Sequence, residues 1–460
     1  MTSVPQISHR NPGANTWSRR AAWASMIGAV ADWYDFFIYG TASALVLGRL
    51  FFPGSLAQGT LAAFATFAVG FLFRPIGSVV FGHFGDRIGR KRMLALTLVI
   101  MGGSSTLIGL LPTHNQIGIA APVLLVVLRA LQGFAVGGEW GGATLLAIES
   151  APNGKRATRS SVVQSGAFVG LLLANAMYLI LSAVLPSDSF DAWGWRIPFL
   201  VSAVILGIGY WIRRGVPETP EFEAVKKQGL IKKVPLIAAL KKHPIAVLTI
   251  IGMYLGPNVV TYIVLTFSIP FAKAQAGVSS TVLLTASLVA AGGSLITIPL
   301  AAKWGDRKGY LRVYLTGAMI TVVFAFPFIW ALSSGNAVNI VLAAVVMLVI
   351  GAAPMVAVQQ PIFTDLFDAE FRYSGAGFSY GLGAAIGGMS PFVATALSQA
   401  DGGKGMYPTL YLIGMVMISV VTGVLVRREI HRNHISGGLT EPTNVHPSAA
   451  VGDAVPHTTD

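Results

Sequence analysis

The chain has 460 residues, of which 54% are hydrophobic and only 11% are charged. Soluble domains carry about a quarter charged residues, so this composition excludes an ordinary soluble globular protein and indicates a membrane protein. The net charge of +13 raises the question of a nucleic-acid partner, which the distribution of the basic residues answers.

Apolar stretches of about 20 residues, the length that a helix needs to cross a bilayer, recur along the chain. They predict an all-α membrane protein with twelve transmembrane helices, at residues 21–47, 58–82, 93–112, 120–149, 158–185, 194–214, 244–272, 279–303, 311–332, 337–366, 372–399 and 406–427. We predict five parts: an N-terminal tail (1–20), a six-helix bundle (21–214), a linker (215–243), a second six-helix bundle (244–427) and a disordered tail (428–460).

Basic residues cluster in alternate loops between the predicted helices. Arg19 and Arg20 precede the first helix, Arg87 to Arg92 follow the second, and Lys303 to Arg312 follow the eighth. The intervening loops hold only Arg49, Lys273 and Lys404. By the positive-inside rule, both termini and the linker are expected in the cytoplasm. The positive charge therefore reflects membrane topology, and we predict no nucleic-acid partner.

An internal repeat supports the division into two bundles. Gly85–Gly89 (GDRIG) follows the second predicted helix, and Gly305–Gly309 (GDRKG) follows the eighth. The two aspartates are 220 residues apart (306 minus 86), close to half the chain. Parallel repeats of this kind build transporters whose substrate site lies between the halves, near the middle of the membrane.

Two motifs make the resemblance to a family specific. Gly82–Arg92 (GHFGDRIGRKR) resembles the signature loop of the major facilitator superfamily, and Arg129–Phe134 (RALQGF) resembles its helix 4 motif. The resemblance covers nearly the whole chain apart from the tails. Asp32–Phe36, Gly137–Gly142 and Trp193–Phe199 resemble the metabolite:proton symporter branch. Within that branch, the chain resembles shikimate transporters in three segments, Ala62–Phe67, Glu149–Pro152 and Arg372–Gly377.

The resemblance implies a secondary active transporter of the bacterial inner membrane that works by alternating access. It would take up a small carboxylated metabolite together with protons, with shikimate or a related organic acid as the expected substrate. A functional monomer without a cofactor is expected. A facilitator, or a drug or metabolite:proton antiporter of the same fold, stays open as an alternative.

Other classes of protein fit the sequence less well. A membrane enzyme needs a constellation such as paired histidine ligands or a nucleophile with its base, and we identify no such set of catalytic or metal-binding residues. Cysteine is absent, so neither a disulfide framework nor a thiolate metal site is predicted. A sensor or structural protein would leave the ionisable residues inside the predicted helices unexplained.

Ionisable residues inside membrane helices are costly and suggest function. At about 1.5 Å per residue, Asp35 and Arg129 lie at similar depths, and Asp32, Arg74 and Glu139 form a second layer nearer the cytoplasm. The resemblance implies proton coupling by the acid of helix 1 and the arginine of helix 4, and we add Asp32 and Glu139 to that group. Ion pairs that only hold helices together are the alternative.

The predicted mechanism is a competition for arginine. Protonation of Asp35 would release Arg129 to bind a substrate carboxylate with both arms of its guanidinium, and Arg74 is a second candidate for that role. Other polar residues inside helices are candidates for binding the substrate hydroxyls, or alternatively for joining helices. They are Gln164, Asn175, Asn258, Tyr262, Gln359 and Tyr380.

The signature loops predict a cytoplasmic gate. Asp86 is expected at the N-terminus of a neighbouring helix, where the helix dipole favours an anion, and Arg90 is expected to reach Glu149. The second loop departs from the signature at Ala302 and Tyr310, which weakens the prediction of a latch there. The candidate gate residues are Gly82, Asp86, Arg87, Gly89, Arg90, Glu149, Asp306 and Arg307.

Overall fold

The computed structural model describes residues 12–88, 90–137, 151, 154–214, 240–367 and 372–436. Over these residues the protein is built from helices, and the main ones overlap the predicted spans. The first six are α1 (Pro12–Ala42), α2 (Leu56–Leu72, continued by Arg74–Ile88), α3 (Arg90–Leu110), α4 (Ala120–Gly137), α5 (Arg156–Val184) and α6 (Ile197–Arg214).

The second six begin after the central linker. They are α7 (Pro244–Tyr262, continued by Ser268–Ala276), α8 (Ser280–Lys308), α9 (Tyr310–Ser333), α10 (Ala337–Val345, continued by Ala353–Asp365), α11 (Arg372–Gly388, continued by Ser390–Ala400) and α12 (Met406–Ser436). Wider, π-type turns occur at Ser43–Leu47, Ile263–Phe267 and Val346–Ala352. Shorter helices occupy Gly48–Phe51, His114–Ile117, Ser187–Ala192 and Gly194–Arg196.

Most of these helices have the length and apolar composition of membrane-spanning helices. Among the described residues, nine helices are long and apolar enough to cross a bilayer, and shorter apolar helices cover Ala95–Leu110 and Gly194–Ile208. Large apolar side chains such as Val184, Ile296 and Trp330 are exposed on the outside of the bundle, where lipid replaces water. The prediction of an all-α membrane protein is confirmed.

Local sequence signals set several helix ends. Ser55 caps α2 in a reciprocal capping box with Gln58, and Ser279 caps α8 through the amide of Val282. These side chains satisfy amides that have no partner within the helix. At the other end of α8, Gly309 adopts a φ of 98°, a backbone conformation that favours glycine, and the chain turns into α9.

Glycine brings α2 and α4 into close contact. A Cβ atom at Gly133 would lie 1.7 Å from the carbonyl oxygen of Gly70, and one at Gly77 would lie 1.8 Å from that of Phe134. Small residues permit such backbone contact between membrane helices. The Nε atom of Arg129 lies 2.6 Å from where a Gly70 Cβ would be, so the same packing holds this arginine against α2.

Among the described residues, the two halves meet along three main pairs of helices. On one side, α5 packs along α8 and the second part of α10, and on the other side α2 packs along α11. Each of these pairs joins a helix of the first six to a helix of the second six. Near the middle of the molecule the helices leave space for a cavity between the halves.

Candidate functional site

A cavity lies between the halves and is lined by residues of α1, α5, α7, α10 and α11. About 470 Å³ of space in and around it is not filled by atoms, a figure that includes space open to solvent. Trp33 and Phe37 of α1 form part of an apolar wall. The predicted site near the middle of the bundle, between two halves, therefore corresponds to an existing cavity.

Four of the predicted substrate-binding residues line this cavity: Gln164, Asn258, Gln359 and Tyr380. Tyr254, a further lining residue, donates a 2.7 Å hydrogen bond to the hydroxyl of Tyr380. The side-chain nitrogen of Asn258 and the side-chain oxygen of Gln359 are buried without a hydrogen-bond partner. Because buried polar groups are normally paired, these two amides can accept a polar ligand or ordered water.

Asn175 does not line the cavity. Its side-chain oxygen accepts a 2.7 Å hydrogen bond from the hydroxyl of Thr41, which joins α5 to α1. It is 11 residues from Gln164 and so faces a similar direction about 16 Å further along α5. The cavity wall formed by α5 ends at Leu171. Asn175 thus shares a helical face with Gln164 but lies beyond the cavity, and its role in substrate binding stays a prediction.

Tyr262 lies in an aromatic cluster beside the cavity and is not among the cavity-lining residues. Its ring centroid is 5.9 Å from that of Phe36, 6.2 Å from Phe37, 5.8 Å from Phe67 and 5.3 Å from Phe71. These phenylalanines belong to α1 and α2, whereas Tyr262 belongs to α7. The cluster, which we call the aromatic gate, therefore joins the two halves.

Two buried arginines contact the same phenylalanine. The guanidinium carbon of Arg74 lies 4.5 Å from the ring centroid of Phe36, and that of Arg129 lies 4.6 Å from it. Arg129 is 1% exposed and Arg74 7% exposed. Arg129 donates a 2.9 Å hydrogen bond to Gln132, which in turn donates one of 2.5 Å to Ser105. These contacts fix Arg129 from α3 and α4.

The hydrogen-bonding capacity of these arginines is only partly used. Nε and Nη2 of Arg129, and Nε of Arg74, are buried without a hydrogen-bond partner. Arg129 also lies over the rings of Tyr39 and Phe67, at 4.4 and 4.9 Å. The ion pairs formed by the described residues lie elsewhere, so among those residues neither arginine has a carboxylate within 4 Å. The arrangement can bind an anion.

Asp35 is buried and accepts a short hydrogen bond from the hydroxyl of Ser202 on α6. Asp32 lies one turn earlier on α1 and is partly buried. The ion pair between Asp35 and Arg129 expected from the competition mechanism is not among those formed by the described residues; Asp35 bonds to Ser202, and Arg129 bonds to Gln132. Glu139 lies outside the described residues.

Asp306 joins the halves on the side of the membrane that carries the basic stretch Lys303 to Arg312, here called the basic side. Its carboxylate accepts hydrogen bonds of 3.0 Å from the amides of Ala157 and Thr158, and one of 2.6 Å from the Thr158 hydroxyl. These amides open α5, where the helix dipole favours an anion. Tyr310 donates to the same carboxylate at 3.1 Å. The second signature loop therefore provides a clear contact between halves.

A neighbouring ion pair was missed by the sequence analysis. Arg156 lies 2.6 Å from Asp365 and donates a 3.1 Å hydrogen bond to Thr364, which joins α5 to α10. In the sequence Arg156 is one of several basic residues that follow the fourth predicted helix, and no pattern predicts that Asp365 is its partner. Arg307 is exposed. The structure does not describe Gly89 and Glu149. It describes only the backbone at the other candidate gate residues of the first signature loop, Gly82, Asp86, Arg87 and Arg90.

Comparison with known proteins decides the family. The sequence model of the Major Facilitator Superfamily matches residues 25–389. The chain belongs to the major facilitator superfamily. It is 47% identical over 414 residues to the shikimate transporter of Escherichia coli K12, covering 89% of this chain and 94% of that protein. It is 32% identical over 426 residues to the proline/betaine transporter of the same organism, covering 90% and 84%.

Solved structures agree on the fold of this superfamily member. The proton:xylose symporter XylE, bound to 6-bromo-6-deoxy-D-glucose, matches with a TM-score of 0.68 at 15% identity, covering 91% of this chain and 96% of that one. A crystal structure of D-xylose-proton symporter matches with a TM-score of 0.69 at 16% identity, covering 89% and 97%. These structures show the fold, and the family match together with the 47% identical transporter shows that the chain is a membrane transporter and not an enzyme.

Proposed function

We propose that this protein takes up a small monocarboxylate together with a proton, and that shikimate or a related hydroxylated acid is its substrate. The observation that carries the proposal is the pair of buried arginines, Arg74 and Arg129, on one phenylalanine ring. A buried charge in a membrane protein is costly and normally finds a partner. A substrate carboxylate would supply it, because guanidinium binds carboxylate through two parallel hydrogen bonds.

The cavity supports a hydroxylated ring as the rest of the substrate. Trp33 and Phe37 offer an apolar surface to a small ring, and Asn258, Gln359 and the Tyr254–Tyr380 pair offer hydrogen-bonding groups. The name of the Escherichia coli relative, shikimate transporter, supports the same class of substrate. Polar groups left unpaired by the wrong substrate give such sites their selectivity.

Phe36 would control access to the arginines. Neither arginine is among the cavity-lining residues. Phe36 contacts both guanidinium groups and also contacts the cavity-lining rings of Trp33 and Phe37, at ring distances of 6.1 and 6.3 Å. A substrate carboxylate would reach the guanidinium groups when Phe36 turns away. We propose that this rotation accompanies loading and loosens the contact of Phe36 with Tyr262.

Asp35 is the proposed proton carrier. The bound monoanion adds one negative charge to the buried site, and one proton on Asp35 removes it. The fully loaded site then has the same net charge as the empty one. Half-loaded sites differ by one charge, which is costly to carry through the apolar core. Coupling would thus arise from charge balance within the site, without a direct bond between Asp35 and Arg129.

The proposed cycle alternates between two gates, in a monomer with both termini in the cytoplasm. The basic-side contacts, Asp306 with α5 and Arg156 with Asp365, would close the cytoplasmic side. The aromatic gate would close the opposite side. Asp86, Arg90 and Glu149 are proposed to add to the cytoplasmic gate at the first signature loop.

The test is a panel of labelled solutes supplied to cells that express the protein, with and without an acid exterior. Shikimate and other hydroxylated monocarboxylates should accumulate, and proline and glycine betaine should neither accumulate nor compete. Arg49→Gln is a control, because it removes an arginine from an exposed ion pair without touching the cavity. Preferential uptake of the zwitterions proline and glycine betaine would contradict the proposed substrate class. It would favour a substrate like those named for the proline/betaine transporter.

A further inference from the structure

The fold interrupts α7 beside the cavity. Pro257 lies inside α7 and has no amide hydrogen, so the carbonyl of Met253, four residues earlier, lacks its helical partner. The hydroxyl of Tyr314, from α9, donates a short hydrogen bond to that carbonyl. Tyr314 is fully buried. A side chain from another helix thus replaces a bond that the proline removes.

A second hydroxyl enters the same turn. The Ser419 hydroxyl, from α12, accepts from the amide of Gly256 at 2.6 Å and donates to the carbonyl of Gly252 at 2.6 Å. In a regular helix these two groups bond to each other. The approach requires glycine, because a Cβ atom at Gly256 would lie 2.7 Å from the serine oxygen. Tyr314 and Ser419 thus both bond to the backbone of Gly252–Gly256, and we call their two hydroxyls the hydroxyl unit.

The interrupted segment carries several cavity residues. Tyr254, Pro257, Asn258 and Thr261 all line the cavity, and Tyr262 of the aromatic gate follows directly. The hydroxyl unit therefore lies behind the wall that presents Tyr254 and Asn258. Any change in the bend of α7 would shift these side chains relative to α11.

We propose that Tyr314 and Ser419 are positioning residues for substrate recognition. They touch no substrate, but hold the segment Gly252–Pro257 so that Tyr254 and Asn258 face the cavity. The inference rests on the proposed function for its link to substrate, but the geometry can be tested without one. Functional side chains depend on supporting contacts of this kind for their position.

The first test uses Tyr314→Phe and Ser419→Ala, with Tyr411→Phe as the control. Tyr411 lies on α12 and loses only a weak 3.5 Å contact with Ser390. In counterflow with shikimate, the two test variants should raise KM by about three- to tenfold, the range expected for one hydrogen bond inside a membrane protein. Vmax per folded transporter and the KM of the control should stay unchanged. Unchanged KM in both test variants overturns the inference.

The second test needs no substrate. The chain has no cysteine, so Thr261→Cys and Gln164→Cys each introduce one thiol, on α7 and on α5 respectively. The ratio of their maleimide labelling rates should change by about threefold or more when Tyr314→Phe is added, and Tyr411→Phe should leave it unchanged. An unaltered ratio overturns the inference. If the wild type moves no organic acid but the ratio changes, the proposed substrate fails while the positioning of α7 stands.

A third test isolates the bond itself. Pro257→Ala restores an amide that can pair with the Met253 carbonyl, and this makes the Tyr314 hydroxyl dispensable for stability. Tyr314→Phe should lower Tm in the native background and not in the Pro257→Ala background. Equal losses of Tm in both backgrounds would show that the hydroxyl does not replace the missing helical bond, and would overturn this explanation.

Discussion

At the scale of single residues, the energetics of Arg74 and Arg129 point to an anion. A charged side chain at the centre of a membrane helix costs about 2.5–3.5 kcal/mol on insertion scales, and a contact with an aromatic face returns about 0.5–2 kcal/mol. Arg129 lies over three rings and Arg74 over two, so ring contacts can offset much of this cost. They leave Nε and Nη2 of Arg129 and Nε of Arg74 without hydrogen-bond partners, and these unpaired donors favour binding of a carboxylate.

The first prediction concerns Arg129→Lys. An ammonium group keeps the charge but cannot contact Gln132 and also present two parallel donors to a carboxylate. We expect KM for shikimate to rise at least about tenfold, since charge-assisted hydrogen bonds contribute roughly 1.5–3 kcal/mol. Counterflow measures it, and Arg49→Lys, in an exposed ion pair, is the matched control. Unchanged affinity in Arg129→Lys would exclude this residue from carboxylate binding.

The second prediction concerns Asp35→Asn. The amide oxygen can still accept the hydrogen bond from Ser202, but the side chain cannot take up a proton. The variant should therefore retain exchange of labelled for unlabelled substrate and lose accumulation driven by a pH gradient. Asp191→Asn, which removes the carboxylate from an exposed ion pair, should behave like wild type. Equal accumulation by Asp35→Asn and wild type would remove Asp35 from proton coupling.

At the scale of helices, individually weak contacts between the ends of α5, α8 and α10 form the proposed gate. The Arg156 and Asp365 side chains are 31% and 36% exposed, so their pairing contributes at most about 1 kcal/mol after solvent screening. Asp306 adds hydrogen bonds to the first amides of α5. A gate that must open in each cycle is better built from several such contacts than from one strong one.

The third prediction tests this gate. Asp365→Asn should increase labelling of Gln164→Cys from the cytoplasmic side by about two- to fivefold, the effect expected from an exposed ion pair. The exchanged pair, Arg156→Asp with Asp365→Arg, should return the rate towards wild type. Asp191→Asn breaks an ion pair within the first half and is the control. Labelling that does not respond to Asp365→Asn would show that this pair does not hold the gate.

Sequence patterns predicted the helices well, because the length of an apolar stretch determines whether it can span a membrane. Polar residues inside membrane helices are rare, and four residues chosen on that ground line the cavity: Gln164, Asn258, Gln359 and Tyr380. Their binding of substrate stays a prediction. The depth of each side chain along its helix, and the direction in which it points, were harder to predict. Asn175 and Tyr262 share a helical face with cavity residues but lie beyond the cavity. The Arg156–Asp365 pair joins residues 209 positions apart, and no local pattern reveals such a partner.

The sequence likewise did not predict that Tyr314 and Ser419 contact the backbone of α7. Pro257 signals that α7 is interrupted, but which helix supplies a hydroxyl to the freed carbonyl depends on how α9 and α12 pack against it. The same holds for Phe36. Its contact with two arginines depends on the close approach of α2 and α4 at their glycines.

At the scale of the whole molecule, contacts close the interface on both sides of the cavity. Asp306 and Arg156 join the halves on the basic side, and the aromatic gate joins them around Tyr262. On the side opposite the basic residues, Gln399 also donates a 2.9 Å hydrogen bond to the carbonyl of Ala57. The conformation therefore shows both sets of contacts that an alternating-access cycle would break in turn.

Charge balance makes a prediction for the complete cycle. If a monoanion travels with one proton, the loaded carrier moves no net charge, and membrane voltage, worth about 2.3 kcal/mol per charge per 100 mV, contributes nothing. The pH gradient alone sets accumulation, at about 1.4 kcal/mol per pH unit, which is tenfold. A zwitterion carried with one proton would instead respond to voltage by roughly 50-fold per 100 mV.

The most direct test is uptake of labelled shikimate into vesicles held at zero potential with an acid exterior. The account predicts accumulation approaching about tenfold per pH unit, and no accumulation when a potassium–valinomycin potential is imposed without a pH gradient. Strong voltage-driven accumulation in the absence of a pH gradient, or a failure of the pH gradient to drive uptake, would contradict proton-coupled transport of a monocarboxylate by this protein.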